Sequence, residues 1–259
     1  MSATDFYDLS HEGVRMRLPR VTSILRIIDR SNALMGWATK LERTALQAAL
    51  EEVLTDPSAP FNAQKVWDQM QAVLSGKRAW VRARDQALTI GHAAHAIIHW
   101  HTQKMLGQDP GPEPSGPDPA LRAVVAWLDW VKEVRFEPQA TERLVYCPQC
   151  AYAGTCDTIA KVEGSLTVID YKVAKGVYDE HHLQVRAYQH AAAREGIQTT
   201  GGLILRLPKT AEDPEFEAVP AEPIPHLYFR AACLLWRWQR RMEHEEAGST
   251  TMTACEVQA

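Results

Sequence analysis

Two short runs of strand-forming residues, 152–162 (YAGTCDTIAKV) and 165–173 (SLTVIDYKV), are separated only by Glu163 and Gly164. Runs rich in β-branched and aromatic residues, bounded by turn residues, are typical of β-strands. A connection of two residues with glycine in it predicts that the two strands form a tight antiparallel hairpin. This hairpin restricts the fold more than any other feature of the sequence.

The register of the hairpin determines which side chains face each other. A turn at Glu163 and Gly164 places Asp157 directly opposite Asp170, with Cβ atoms about 4.5–5.5 Å apart. A turn shifted by one residue places Asp157 opposite Lys172 instead. Because side chains alternate along a strand, both registers keep all three charged residues on one face. The hairpin therefore predicts a cluster of two carboxylates and one lysine.

Two carboxylates facing each other across a sheet repel, and burial would increase the cost. Leu166, Val168 and Ile169 are apolar on both faces of the second strand, which indicates a covered, central strand rather than an exposed hairpin with scattered charges. A divalent cation would compensate the charge, and oxygen ligands suit Mg²⁺. Such an ion activates water and stabilises a phosphate under attack, which predicts phosphodiester hydrolysis by Asp157 and Asp170. Lys172 would orient or deprotonate the water.

Composition adds broad constraints. The chain has 259 residues, 46% of them hydrophobic, which is enough for a substantial core. Its net charge of −4 gives no global attraction to nucleic acid, so a DNA site must be a local basic groove. No apolar run is long enough to span a membrane, and five cysteines without an evident pairing fit a reducing compartment. We therefore expect a cytoplasmic protein without a membrane partner.

Apolar spacing and turn residues predict the order of elements along the chain. Helices are expected at 33–54, 63–74, 77–106, 120–134, 178–195 and 226–244, and strands at 141–146, 152–162, 165–173 and 201–207. Asp118 is expected to cap the fourth helix. The pattern predicts an α/β fold with a four-stranded mixed sheet flanked by helices and a helical N-terminal extension. We expect a single domain over 1–259. Its parts are a mainly helical part at 1–139, a catalytic part at 140–207, a loop with the closing helix at 208–246 and a disordered tail at 247–259.

Several short motifs occur together in a fixed order. They are GTCD at 154–157, IDYK at 169–172 and the Q-x-x-x-Y pair Gln184 and Tyr188. In this combination the chain resembles the PD-(D/E)XK nuclease superfamily. Two upstream elements, LPRVTSIL at 18–25 and the G-x-x-x-H pair Gly91 and His95, are similar to the branch of RecB-type, mitochondrial genome maintenance and phage exonucleases.

The resemblance implies a restriction-endonuclease-like core and assigns roles to single residues. It implies that His95, Asp157 and Asp170 bind metal, that the backbone carbonyl of Tyr171 adds a ligand, and that Lys172 serves the attacking water.

Three further residues complete the implied site. Glu142 on the first strand would add a carboxylate, and Gln184 and Tyr188 would hold the lysine and the DNA near the metal. Cys156 stands where the superfamily name has proline, and Val173 replaces a frequent threonine.

Other possible metal ligands are weaker. His92, His95 and His99 share one helical stripe that could form a zinc site, but no fourth ligand is evident. Cys147 and Cys150 form a Cys-x-x-Cys pair, and a tetrahedral site needs two further ligands. An iron-sulfur cluster is not expected, because the remaining cysteines do not follow the spacing of related cluster-bearing nucleases.

We expect a Mg²⁺-dependent DNA exonuclease, with Mn²⁺ as a substitute ion, that prefers single-stranded or frayed ends in recombination, repair or phage DNA processing. A single-strand-binding or annealing protein is a candidate partner. The basic and aromatic stretches 77–84 and 236–241 could bind a DNA strand, or could equally be amphipathic helices. The alternatives are an endonuclease or flap nuclease of the same superfamily, and a non-catalytic DNA-binding or assembly module on this fold.

Overall fold

A computed structural model describes residues 5–28, 31–54 and 62–240. The chain divides into two compact units, one formed by Met1–Ile28 with Gly91–Ala259 and the other by Asp29–Ile90. The expected single nuclease domain stays a prediction, because compactness does not tell whether the units fold independently. The expected disordered tail, 247–259, and the end of the last predicted helix lie outside the described residues.

The described residues form seven strands and seven α-helices. The strands are β1 (Phe6–His11), β2 (Val14–Pro19), β3 (Phe136–Cys147), β4 (Tyr152–Val162), β5 (Ser165–Val173), β6 (Gly201–Leu207) and β7 (Glu217–Pro220). The helices are α1 (Val21–Ile24), α2 (Ser31–Leu54), α3 (Ala63–Ser75), α4 (Ala79–Met105), α5 (Asp118–Glu133), α6 (Asp179–Arg194) and α7 (His226–Gln239), with a 3₁₀ turn at Leu25–Ile27.

The larger unit is built on a five-stranded mixed sheet with the order β3-β4-β5-β6-β7. Its strands pair antiparallel except β5 and β6, which are parallel and connected through α6. This topology agrees with the expected restriction-endonuclease-like fold. β5 lies at the centre, and Val168, Ile169 and Asp170 are all buried there. A polar side chain on β5 is therefore held away from bulk solvent.

Helices cover both faces of this sheet. On one face, α1, α6 and α7 form the main core with the sheet, with Ile24, Val185 and Phe229 fully buried. On the other face, the Trp127 ring of α5 packs edge-on against Tyr171, with ring centroids 6.4 Å apart. Both faces of β5 are therefore covered, as its continuous apolar run predicts.

The smaller unit contains α2, α3 and the beginning of α4. Asn62 is the N-cap of α3, because its side chain accepts hydrogen bonds from the backbone N–H groups of Gln64 and Lys65. Among the described residues, no helix is long and apolar enough to cross a membrane.

The predicted helices and strands are present, with three corrections. The sheet has a fifth strand, β7, inside a Pro-rich segment predicted as loop, because four residues are too few for a strand pattern. The N-terminal hairpin β1–β2 was missed in a region expected to be mainly helical. Asp118 is the first helical residue of α5 rather than its cap, and Pro117 occupies the cap position without a side-chain hydrogen bond.

Candidate active site

The hairpin of β4 and β5 has the predicted two-residue turn. Glu163 and Gly164 adopt positive φ angles of 48° and 81°, the conformation of a tight hairpin turn. Pairing runs from Val162 with Ser165 to Thr158 with Ile169, which is the predicted register. The ladder ends there, one pair before Asp157 would face Asp170.

Beyond the end of this ladder, the side chain of Asp157 replaces a backbone partner. Its Oδ2 accepts a hydrogen bond of 2.7 Å from the backbone N–H of Tyr171. The strands separate at this point, and the carboxylates of Asp157 and Asp170 lie in the opening. The local loss of sheet pairing thus creates room for the site.

His95, on α4, reaches the same opening. Its Nε2 lies 3.1 Å from the carbonyl oxygen of Tyr171, and its Nδ1 lies 3.4 Å from Asp157 Oδ1. Burial lowers the pKa of His95, but the nearby Asp157 carboxylate outweighs this effect and raises it overall. Conversely, burial raises the pKa of Asp157, and His95 more than compensates. These contacts bring together three of the four predicted ligand groups.

Lys172, Asp170 and Gln184 form a second, contiguous group. Lys172 Nζ lies 2.7 Å from Asp170 Oδ2 and donates to Gln184 Oε1 at 3.1 Å. The Gln184 amide donates from Nε2 to Asp170 Oδ1 and to the Tyr188 hydroxyl, both at 2.9 Å. One glutamine therefore holds the lysine, the carboxylate and the tyrosine together.

Asp170 is almost completely buried, with 1% of its surface exposed. Among the described residues, its Oδ2 has no partner with hydrogen-bond geometry, although the Lys172 ammonium lies 2.7 Å away. Burial raises the pKa of Asp170 above its ordinary value, although Lys172 opposes this shift and Asp157 adds to it. A buried carboxylate oxygen with spare acceptor capacity is the feature expected of a cation ligand.

Glu142, on β3, joins the cluster at an irregular point of its strand. The register of β3 against β4 shifts between Pro138 and Ala140, and Glu142 has a φ of 47°, which is strained for a non-glycine residue. Burial and then the Asp157 charge raise the pKa of Glu142 to about 7. One potential ligand atom from each of His95, Glu142 and Asp157 lies within 4.8 Å of the others.

These residues fit a divalent metal ion. The carboxylates of Asp157 and Asp170 and the Tyr171 carbonyl are hard oxygen donors, and the His95 imidazole is a common additional ligand. Burial, and to a lesser extent the Asp157 charge, raises the pKa values of Glu142 and Asp170, and a nearby cation would favour their ionised forms. The donor set of the opening is therefore that of a metal site.

Two residues that position the site were not recognised from the sequence. A Cβ atom at Gly154 would lie 2.4 Å from Cε1 of Tyr188, so only glycine allows the tyrosine ring to approach β4. Thr141 Oγ1 donates to the backbone carbonyl of Asp157 at 3.2 Å and lies 2.8 Å from Nδ1 of His99. The glycine of the GTCD motif could have been recognised as a close-approach position. No sequence signal distinguishes Thr141.

The histidine stripe does not come together as one site. Of its three members, only His95 belongs to a group of described side chains close enough to share an ion. The basic stretch 77–84 is partly neutralised, because Lys77 and Arg84 both pair with Asp85. In the stretch 236–241, the Trp236 ring is buried.

Comparison with known proteins agrees with this geometry. The family model of the PD-(D/E)XK nuclease superfamily matches residues 133–257, which include β3, β4, β5 and α6. This match confirms the superfamily resemblance over residues 133–257. Members generally use divalent metal ions, and DNA is the substrate class that the assignment implies. No curated protein matches the chain significantly.

Proposed function

We propose that this protein is a Mg²⁺-dependent DNA exonuclease, with Mn²⁺ as an alternative ion. The observation that carries the proposal is the hydrogen-bonded group of Lys172, Gln184 and Asp170 beside the Asp157 carboxylate. In this proposal the catalytic lysine is Lys172, held 2.7 Å from the Asp170 carboxylate at the edge of the opening that the Asp157 carboxylate lines. A scaffold that only bound DNA would gain nothing from burying these charges together.

Each residue has a task in this proposal. Asp157, Asp170, the Tyr171 carbonyl and His95 would hold the metal ion, which supplies charge stabilisation for the phosphate and lowers the pKa of water. Lys172 would orient the attacking water and, as the neutral amine, accept its proton. Gln184 fixes the lysine through Oε1, next to Asp170 Oδ2.

Glu142 and Tyr188 act at the edges of the site. Glu142 contributes a third carboxylate on the solvent-facing side, where it can bind water at the metal or a second ion. The Tyr188 hydroxyl lies behind Gln184 and holds its amide in place.

The preferred kind of DNA end and the biological role are inferred from the resemblance. The motifs are similar to RecB-type, mitochondrial and phage exonucleases, which supports a preference for single-stranded or frayed ends and a role in recombination, repair or phage DNA processing. A cytoplasmic location and a single-strand-binding or annealing partner belong to the same proposal. The two compact units would act as one nuclease domain.

Digestion of end-labelled linear and closed-circular single-stranded DNA tests the proposal. Each substrate is incubated with Mg²⁺, Mn²⁺ or EDTA, and the purified protein is compared with Lys172→Ala. We expect metal-dependent loss of the linear strand only, and no loss with the variant. Cutting of circles would identify an endonuclease. No cleavage by folded protein supplied with metal would favour a DNA-binding module.

A further inference from the structure

A second group of metal-binding side chains lies between α6 and the loop that joins β3 to β4. The sulfur atoms of Cys147 and Cys150 and one ring nitrogen of His190 all lie within 4.8 Å of one another. Cys147 is buried, and the other two are partly buried. The sequence suggested no further ligand for the Cys-x-x-Cys pair, and the fold supplies one from a distant helix.

The backbone of this loop suits a metal-binding Cys-x-x-Cys pair. The N–H of Cys150 donates to Cys147 Sγ at 3.3 Å, and this sulfur also lies 3.6 Å from Gln149 Oε1. Arg237 of α7 donates to the backbone carbonyls of Cys150, at 3.1 Å, and Ala151, at 2.5 Å. The loop therefore holds Cys147 Sγ in place and is fixed to α7 through its backbone.

The surroundings of His190 prepare its ring as a ligand. The Tyr152 hydroxyl donates its proton to the Ala187 carbonyl at 2.9 Å. Nδ1 of His190 and Nε2 of His226 each lie 3.1 Å from the same hydroxyl oxygen. With the hydroxyl proton on the Ala187 carbonyl, Nδ1 of His190 is a donor and Nε2 keeps the lone pair that a metal ion needs. The ring also stacks on His226, with centroids 3.6 Å apart.

We propose that Cys147, Cys150 and His190 bind a Zn²⁺ ion that joins the β3–β4 loop to α6. Two sulfur ligands and an imidazole match the preference of Zn²⁺ for tetrahedral sulfur and nitrogen sites. The fourth position is open to water, and Cys233, a buried cysteine of α7, lies outside this group of three ligand atoms.

The proposed zinc site has a consequence for the nuclease residues. Its ligand His190 lies on α6, the helix that carries Gln184 and Tyr188. A zinc ion would fasten this helix to the strand that begins with Tyr152 and contains Asp157. The role is structural and does not depend on which nucleic acid the protein cleaves.

Metal analysis of the purified chain tests the proposal. The protein is expressed with zinc in the medium, purified in reducing buffer without chelator, and analysed by mass spectrometry for bound metals. We expect about one zinc per chain. Cys147→Ser, Cys150→Ser and His190→Gln should lose the ion. Cys156→Ser, a buried cysteine outside the cluster, is the matched control and should keep it.

A second measurement keeps the test decisive if the variants do not fold. Replacement of zinc by Co²⁺ in the wild-type protein should give thiolate-to-cobalt charge-transfer bands and the visible spectrum of a tetrahedral ion. Absence of bound zinc after dialysis against Zn²⁺ would overturn the proposal. A brown iron chromophore, or a disulfide between Cys147 and Cys150 in reducing buffer, would overturn it as well. Zinc content is independent of nuclease activity, so the two proposals fail separately.

Discussion

The aromatic ring of Tyr188 occupies the space that a side chain at Gly154 would need. A Cβ atom built on Gly154 would lie 2.4 Å from Tyr188 Cε1 and 3.0 Å from Val21 Cγ2. The glycine of the GTCD motif therefore controls the position of a residue on α6. Because Tyr188 accepts a hydrogen bond from Gln184, this contact extends to Lys172.

Gly154→Ala should therefore damage the site without touching a ligand. We expect the Tyr188 ring to shift, the free energy of unfolding to fall by about 1–3 kcal/mol, and cleavage to fall roughly tenfold to a hundredfold. Urea unfolding and the nuclease assay measure the two effects. Gly36→Ala is the control, because its added methyl meets no atom within 4 Å. Equal effects from both variants would contradict the role of Gly154.

Gln184→Glu should destabilise the metal-free protein, because it adds a second negative charge next to Asp170. The substitution keeps an acceptor for Lys172 but places a second carboxylate where an amide now donates to Asp170 Oδ1 at 2.9 Å. In the absence of metal we expect a loss of roughly 2–4 kcal/mol in the free energy of unfolding, from two buried like charges and a lost hydrogen bond. Mg²⁺ should restore part of it, and urea unfolding with and without Mg²⁺ measures both values.

The matched control for this substitution is Gln189→Glu, on the same helix. Gln189 Nε2 donates to the backbone carbonyl of Gly201 at 2.9 Å, so this variant also loses one hydrogen bond that the side-chain amide donates. We expect a smaller loss of stability and no rescue by Mg²⁺. An effect of Gln184→Glu no larger than the control, or insensitive to Mg²⁺, would exclude the proposed role of Gln184.

Glu142→Gly should stabilise the metal-free protein while weakening its response to metal. The residue has a φ of 47°, and glycine adopts this conformation at little cost, so we expect a gain of about 1 kcal/mol. Removal of the carboxylate should reduce the increase in melting temperature that Mn²⁺ causes. Glu12→Gly is the control, because Glu12 has a φ of 49° and lies outside the site. Loss of stability in Glu142→Gly alone would contradict the strain argument.

Asp5 should make a pH-dependent contribution to stability. Its carboxylate is buried, and although burial raises its pKa, hydrogen bonds from Ser23 and Arg240 and the charge of Arg26 lower it overall. Because the folded-state pKa lies below the unfolded one, the contribution is complete above about pH 4 and is lost as the pH falls through the folded-state value.

Asp5→Asn should therefore destabilise the protein by roughly 1–3 kcal/mol at pH 7 and by much less below pH 3. Thermal unfolding of both proteins across this range gives the difference directly. A constant difference at every pH would show that the Asp5 contacts contribute through packing rather than charge. Asp8→Asn is the control, because the Asp8 side chain is 82% exposed.

The sequence predicted the central hairpin because its pattern is local. Two residues between two strand patterns determine the register, and that register places Asp157, Asp170 and Lys172 together whatever the rest of the chain does. The contact of His95 with the site was available only through the family resemblance. Its helix is far away in sequence, and no local pattern indicates which strand it contacts.

Other features could not be predicted because they depend on long-range packing. β7 has four residues in a Pro-rich segment, and it is a strand only because β6 offers it an edge. The positive φ of Glu142 occurs where the pairing of β3 with β4 is interrupted, between the pairs Thr141–Thr158 and Arg143–Cys156, and sequence periodicity does not reveal it. The approach of His190 to the cysteine pair depends on how α6 packs on the sheet.

The central claim is that Asp170 binds the metal ion while Lys172 acts on the water that the ion activates. Binding of Mn²⁺, followed by electron paramagnetic resonance of the free ion, and cleavage of linear single-stranded DNA should be measured on the same samples of Asp170→Asn and Lys172→Met. We predict that Asp170→Asn loses both binding and cleavage. Lys172→Met should bind Mn²⁺ almost as well as wild type while cleaving roughly 10²–10⁴ times more slowly. The account would be contradicted if Asp170→Asn cleaved DNA at the wild-type rate, or if both variants still bound Mn²⁺.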